Sequence, residues 1–201
     1  FHIDFKLFFF GAISRNDLVS RFSIKEAAAT RDISLYKELA AKNLEYDTKA
    51  KTYILRDGFK PLFSYNSNQA LAALLYGFGD DFVTTTRVFD SAEAPTHLNL
   101  PTCEVLAFVT RAIQNKQAIK LHYRSLSSGQ TQREFVPHSL VDNGLRWHVR
   151  GFDRKRNKFT DFVINRIENP SFLIKNTIHE HENKAADTQW HRLITINLVP
   201  H

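Results

Sequence analysis

The 201-residue chain has one cysteine, no methionine and only seven glycines, and each shortage removes a class of chemistry. With Cys103 alone, neither an internal disulfide nor a cysteine-built zinc site can form, which suits a reducing compartment and makes the cytoplasm the expected location. So few glycines leave little room for a phosphate-binding loop. That loop, a Gly-x-Ser-x-Gly elbow and a paired-carboxylate motif are all missing, so neither an enzyme nor a cofactor is expected. The richest apolar run, Phe8-Phe9-Phe10, lies between Lys6 and Arg15 and falls far short of the roughly 18 apolar residues of a membrane span. Methionine is missing even at position 1 and an apolar run opens at the very end, so the sequence is expected to be a piece of a longer chain at both ends.

What is present is charge, unevenly placed. The formal net charge is +6, but attraction to a polyanion depends on where charge clusters. Residues 1–64 carry a net +3, 65–110 a net −4, 111–175 a net +8 and 176–201 a net −1, so two basic modules flank an acidic connector. Gly77, Gly79, Pro95 and Pro101 punctuate that connector around one short apolar helix pattern, Ala70 to Tyr76, and place a boundary near residue 65. The expected fold class is α+β, divided into residues 1–64, a helical connector 65–117, a β-rich module 118–175, and a polar linker that opens a C-terminal extension over 176–201.

Ile3, Leu7 and Phe10 share one helical face, which predicts a buried first helix over residues 1–10 that ends at Gly11. Ser14 and Asp17 make a capping box for a second helix, Arg15 to Phe22. The pattern restarts at once with Ser23-Ile-Lys-Glu26, read as a second capping box, followed by three alanines. In this third helix Ala29, Ile33, Tyr36 and Ala40 form a narrow inward stripe, leaving Lys25, Glu26, Thr30, Arg31, Ser34 and Lys37 outward. A helix entering a major groove needs little bulk near its start and donors for base edges or phosphates, and Arg31 is the best single candidate. Leu44 to Asp47 and Lys51 to Leu55 read as two strands joined by a turn, with Lys49 and Lys51 placed to touch phosphate. Helix, turn, helix and hairpin make a winged helix, with Ser14 and Arg15 added to its DNA-facing set. The competing reading is a packing unit with a solvated polar face.

Residues 103–116 read as a helix with Val105, Phe108, Val109 and Ile113 on one stripe. Ile119 to Tyr123 alternates strictly, Asp142-Asn143-Gly144 is a hairpin signal, and Arg146 to Gly151 and Phe159 to Ile164 are β-rich, which suggests a small bent sheet or barrel. Leu193 to Val199 reads as an opening strand. His179-Glu-His181-Glu has histidines at i, i+2, not the i, i+4 spacing of a helical zinc pair, so no metal is expected.

Leu121-His-Tyr-Arg124, Phe135-Val-Pro137-His138, Arg146-Trp-His-Val-Arg150 and Phe162 to Ile167 together resemble a WYL domain. Ile13 to Leu18, Ala29 to Asp32 and Leu44 to Asp47 resemble the winged helix-turn-helix that often precedes one. The resemblance is greatest to the WYL-type repressors that guard bacterial phage-defence operons. It implies an Sm-like barrel, a C-terminal extension used in homodimerisation, and a basic, aromatic pocket for a nucleotide or nucleic-acid effector. Carried over, that pocket holds Tyr123, Ser125, Arg133 and His138 from the first strands, with Trp147, His148, Arg150 and Arg166 from the later ones. Trp147-His148-Val149 stands where the family has Trp-Tyr-Leu, so an imidazole replaces a phenol. The residues support an anionic ligand independently, because arginine forks match phosphate and aromatic faces stack bases. Trp147 and Tyr123 also have a plain reading as core residues, and Arg154-Lys-Arg156 as a solvated turn.

The leading expectation is a homodimeric repressor on a palindromic duplex operator, set by an anionic effector. The alternative is a nucleotide-binding or nucleic-acid-binding accessory subunit that modulates an enzyme encoded beside it, with the winged helix serving as a protein contact. A hydrolase hidden in the basic module lacks any supporting motif.

Overall fold

A computed structural model of the chain describes residues 1–77, 100–127, 129–173 and 177–197. Its contacts separate two units, Phe1–Arg111 and Ala112–His201. Among the described residues no helix is long and apolar enough to cross a membrane.

In the first unit, α1 (His2–Phe10) is apolar on nearly every side, and it buries Ile3, Phe5, Leu7, Phe8 and Phe9. A helix of that composition is stable only when enclosed. Gly11 ends it in the left-handed region at φ 81, where the missing Cβ matters, and its amide donates to the Leu7 carbonyl. The two residues that follow, Ala12–Ile13, form β1, too short for any sequence pattern to announce. Ser14 then caps α2 (Arg15–Phe22): its hydroxyl accepts from the Asp17 amide while the Asp17 carboxylate accepts from the Ser14 amide, the reciprocal box expected.

The second capping box does not form. Ser23 takes φ 53 as the left-handed end of α2, a backbone an N-cap cannot have, and α3 (Glu26–Leu39) starts from Lys25 with no side-chain cap. Ending one helix and starting another within three residues uses Ser23 for the turn. The inward stripe is as expected: Ala29, Ile33 and Tyr36 are buried and Ala40 packs against their cluster, together with Ile3, Leu7, Ile13, Leu18 and Leu44. The wing is β2 (Leu44–Asp47) and β3 (Thr52–Leu55), and β1 pairs with β3 to complete a three-stranded sheet in the order β1-β3-β2.

Two further helices follow, α4 (Ser67–Tyr76), capped by Asn66 and within this unit, and α5 (Cys103–Gln114), whose residues to Arg111 belong to it. The Arg111 guanidinium donates to the Phe8 carbonyl at 2.6 Å and the Thr110 hydroxyl to the Phe9 carbonyl, so α5 satisfies the open end of α1. Along α5 the buried apolar positions are Leu106, Ala107, Val109 and Ala112, whereas Val105, Phe108 and Ile113 are half-buried. The expected stripe is therefore centred one step away, because small residues let the helix approach closely. Asp4 sits fully buried in α1, accepting hydrogen bonds from Tyr36, Tyr65 and the Leu62 amide. Burial, reinforced by that carboxylate, raises both phenols well above their ordinary value.

The second unit is an antiparallel sheet of β4 (Ile119–Ser125), β5 (Gly129–Asp142), β6 (Trp147–Asp153), β7 (Lys158–Val163) and β8 (Ile167–Phe172), in the order β7-β6-β5-β4-β8. Asp142, Asn143 and Gly144 close the β5–β6 hairpin as expected, with Gly144 at φ 82. The sheet is not a closed barrel: β7 and β8 are its edges and share no ladder. They are nevertheless joined by one 3-10 turn, Ile164–Arg166, so the sheet curls strongly. Tyr123 spans the curl, stacked on Phe162 at 4.3 Å while its hydroxyl accepts from the Val163 amide.

The β5–β6 register shifts between Pro137 and Ser139, making His138 a bulge residue. Opposite it stands Gly151, where an added Cβ would lie 2.2 Å from the Val136 carbonyl oxygen. Only glycine permits that approach.

Past β8, the residues expected to be a free polar linker pack onto the sheet. Two 3-10 turns, Glu180–Glu182 and Lys184–Ala186, bury Glu182 and Asp187. No strand follows within 193–197, where Leu193, Ile194 and Ile196 are exposed; the rest of that expected strand lies outside the described residues.

Candidate nucleic-acid interface and anion site

The outer face of α3 carries Lys25, Glu26, Thr30, Arg31, Ser34 and Lys37, all exposed and backed by the buried Ala29–Ile33–Tyr36 stripe. Thr30 and Ser34 donate their hydroxyl protons to the carbonyls of Glu26 and Thr30, both at 2.9 Å. They therefore present acceptor lone pairs outward and not the donors expected of them. Among the described residues Lys25, Arg31 and Lys37 have no ion-pair partner, so their charge faces solvent.

Ser14 is consumed by its cap: its hydroxyl both accepts from the Asp17 amide and donates to the Asp17 carboxylate. Burial alone would raise the Asp17 carboxyl, but the Ser14 contacts and Lys6 outweigh it and hold it low. Arg15 is exposed beside it. At the wing tip the Asp47 carboxylate accepts from the amides of Lys49 and Ala50, and Lys51 takes φ 53, which leaves both lysine side chains exposed on a fixed turn.

In the second unit seven of the eight candidate ligand residues lie on strands and divide between the two faces of the sheet, and Arg166 lies in the 3-10 turn. Residues paired across an antiparallel ladder share a face and successive residues alternate. Tyr123, Arg133 and Trp147 follow the inner face with Val149, Phe135 and Phe162. His148 and Arg150 follow the opposite face with Phe152 and Asp161, and the bulge turns His138 toward them.

On the inner face Arg133 is buried and pairs with the fully buried Asp153 at 3.1 Å, its Nε donating to Thr131. Ser125 lies near the β4–β5 turn, where its hydroxyl meets that of Ser127 at 3.2 Å. Arg166 sits half-buried in the 3-10 turn, and the His148 ring contacts the Arg146 carbonyl through Nδ1.

The outer face has one centre. Arg150 makes a two-pronged contact with Asp187, Nε to Oδ2 at 2.6 Å and Nη2 to Oδ1 at 2.9 Å, and reaches Asp161 at 2.9 Å and Gln189 at 3.2 Å. His138 Nε2 lies 3.1 Å from the same Asp187 Oδ2. A carboxylate cannot donate, so the ring proton is on Nε2, and Nδ1 accepts from the Ser139 hydroxyl at 3.0 Å. Burial lowers the His138 pKa more than Asp187 raises it, so the ring is neutral near pH 7. Burial would likewise raise Asp187, but Arg150, His138 and the Trp190 amide together draw it down to about 2. The hydrogen bonds that Arg150 donates to Asp187 hold its guanidinium firmly protonated.

Thirteen basic residues in 111–175 point to an anion site; the structure adds its internal counter-charges, Asp153 and Asp161 from within that stretch and Glu182 and Asp187 from after it.

Two family descriptions match the chain: the BrxR transcriptional regulator winged helix-turn-helix domain over residues 1–76, and the WYL domain over residues 104–171. The DNA-binding transcriptional repressor CapW of Escherichia coli (strain KTE188) is 32% identical over 99% of this chain and 67% of its own length. CapW of Stenotrophomonas maltophilia is 30% identical over 99% of this chain and 68% of its own length, and that of Pseudomonas aeruginosa 31% over 99% and 67%. This chain thus spans about two thirds of the length of those relatives. The solved structure of proteasome accessory factor B/C (PafBC) of Arthrobacter aurescens aligns at a TM-score of 0.37 and 14% identity over 90% of this chain and 33% of that one, a likeness too slight to argue from. The chain belongs to the WYL-domain transcriptional regulators that begin with a BrxR-type winged helix-turn-helix, the family of the CapW repressors.

Proposed function

We propose that the chain is a DNA-binding transcriptional repressor that acts as a homodimer on a palindromic operator, and that its WYL module senses a nucleotide or nucleic-acid ligand. The observation that carries the reading is the face of α3: a helix whose buried stripe leaves Lys25, Arg31 and Lys37 outward with no ion pair among the described residues. The helix enters the major groove, Arg31 meets a base edge or phosphate, and Lys49 and Lys51 steer the wing onto the backbone. The two recognition helices of a dimer then meet half-sites about one or two turns apart. The names of the CapW relatives support repression, and the family resemblance points to a phage-defence operon as the regulated neighbour.

Footprinting and a salt titration on the promoter of the neighbouring operon test this. The expected result is a symmetric footprint and a preference for that promoter over random duplex that survives moderate salt. Equal affinity for both duplexes overturns it.

One observation favours the accessory-subunit reading. Leu35 and Leu39 are 55% and 66% exposed on α3 and, with Phe22 and Leu62, line an apolar groove that suits a protein contact. That reading expects ligand binding by the second unit and no footprint.

A further inference from the structure

The segment 177–191 is held to the second unit more by charge than by apolar burial. Ile178 is its one aliphatic anchor in the cluster of Val136, Phe152 and Phe159. Most of its other side chains are exposed, yet its two buried acids take the best donors on that face: Glu182 receives Arg154 at 2.6 and 2.7 Å, and Asp187 receives Arg150 and His138. Trp190 closes the contact with its ring edge-on to His138 at 5.4 Å.

The geometry around Asp187 is that of an oxyanion site. Arg150 Nε and Nη2, His138 Nε2 and the Trp190 amide converge on one carboxylate. A guanidinium fork binds carboxylate and phosphate with the same two parallel bonds, and a phosphate offers more acceptor oxygens and more charge. Beside His138, an open cavity of about 530 Å³ has Val136, Pro137 and Ile178 on its walls and Lys116 and Lys184 among its lining residues. It has room for the body of a nucleotide-sized molecule.

We infer that residues 177–191 are an acidic strap seated in the module's own anion site, with Asp187 standing where the phosphate of a ligand would lie on Arg150 and His138. A ligand bearing a phosphate or phosphodiester group displaces Asp187, loosens the strap, whose residues form half of the cavity lining, and lays its body against the remaining wall of Lys116, Val136 and Pro137 beside His138. The inference rests on the proposal that this module senses an anionic ligand, and adds that sensing is a competition within the chain. While the strap is seated, apparent affinity falls by the fraction of time the site is open.

The test compares the full chain with Asp187→Asn, which keeps the side-chain shape but removes its charge. Calorimetric titration uses thymidine monophosphate, with a terminal phosphate, and a thymidine tetranucleotide with hydroxyl ends, whose phosphates are all diesters. The expected result is binding about tenfold or more tighter in Asp187→Asn than in the wild type. That gain is lost in Asp187→Asn/Arg150→Gln, and amide exchange within 177–191 quickens when the wild type is saturated. The probe with the larger gain identifies the phosphate source. Glu182→Gln releases Arg154 at the other end of the strap, leaves the Asp187 contacts intact, and should give a smaller gain in a protein that keeps its fold. Equal affinity in wild type, Asp187→Asn and Glu182→Gln overturns the strap but leaves anion sensing standing. Binding of neither probe by folded wild type and variants overturns both.

Discussion

The two units treat their positive charge in opposite ways. In the first, Lys25, Arg31, Lys37, Lys49 and Lys51 project from a helix and a turn with side chains that make no ion pair among the described residues, while the buried carboxylate, Asp4, is satisfied by hydroxyls and an amide. In the second, Arg133, Arg150 and Arg154 each face a buried carboxylate, those of Asp153, Asp187 and Glu182. The more basic module by count thus has its most enclosed arginines already engaged, and the modestly charged one keeps the cations of α3 and the wing open. Net charge alone does not rank them as polyanion binders, because partnered and unpartnered cations count alike in a sum.

The largest effect that can break this comparison comes from Asp153→Ala. It leaves Arg133 buried without a counter-charge, at an expected cost of about 3–5 kcal/mol. Trp147 and Trp190 both belong to the second unit, so a thermal melt followed by tryptophan fluorescence reports it directly. An unchanged melt would mean that this arginine is not structurally committed.

Acid sharpens the same contrast. Asp187 is held at about 2 against an ordinary 3.8, so the unfolded chain binds more protons than the folded one between those values. The stability this contributes, about 2 kcal/mol, is present above pH 3.8 and lost as pH falls through about 2. Glu182 is also held low and adds in the same direction. The tryptophan signal should therefore show a marked loss of stability in this window, and Asp187→Asn should lessen that dependence.

The smallest stability effect belongs to the wing. Lys49→Ala with Lys51→Ala should change stability by no more than about 0.5 kcal/mol each, yet lower the slope of log affinity against log salt by about 2. An unaltered slope removes the wing from the interface.

Much of the first unit is legible in the sequence because its signals are local. Gly11 as a left-handed stop, the Ser14–Asp17 box and the Ala29–Ile33–Tyr36 stripe each depend on residues within a turn or two. Ser23 misleads because its capping pattern competes with a tight turn that only packing decides. In the second unit the alternation of β4 and the Asp142–Gly144 hairpin are equally local. The site is not: the bulge at His138 requires Gly151 across the strand pair, and Arg150 meets Asp187 37 residues further on. A polar segment reads as a linker when the arginines that its acids neutralise are far away in sequence.

On the proposed function, duplex DNA is read by the open cations of α3 and not by basicity in general. The most direct test of this is the affinity of Arg31→Ala for the footprinted operator, measured beside Lys155→Ala/Lys158→Ala in the second unit. Arg31→Ala should lose about 1–3 kcal/mol of specific binding with an unchanged melt, and the second-unit pair should lose little. Equal losses in both, or none in Arg31→Ala, would contradict it.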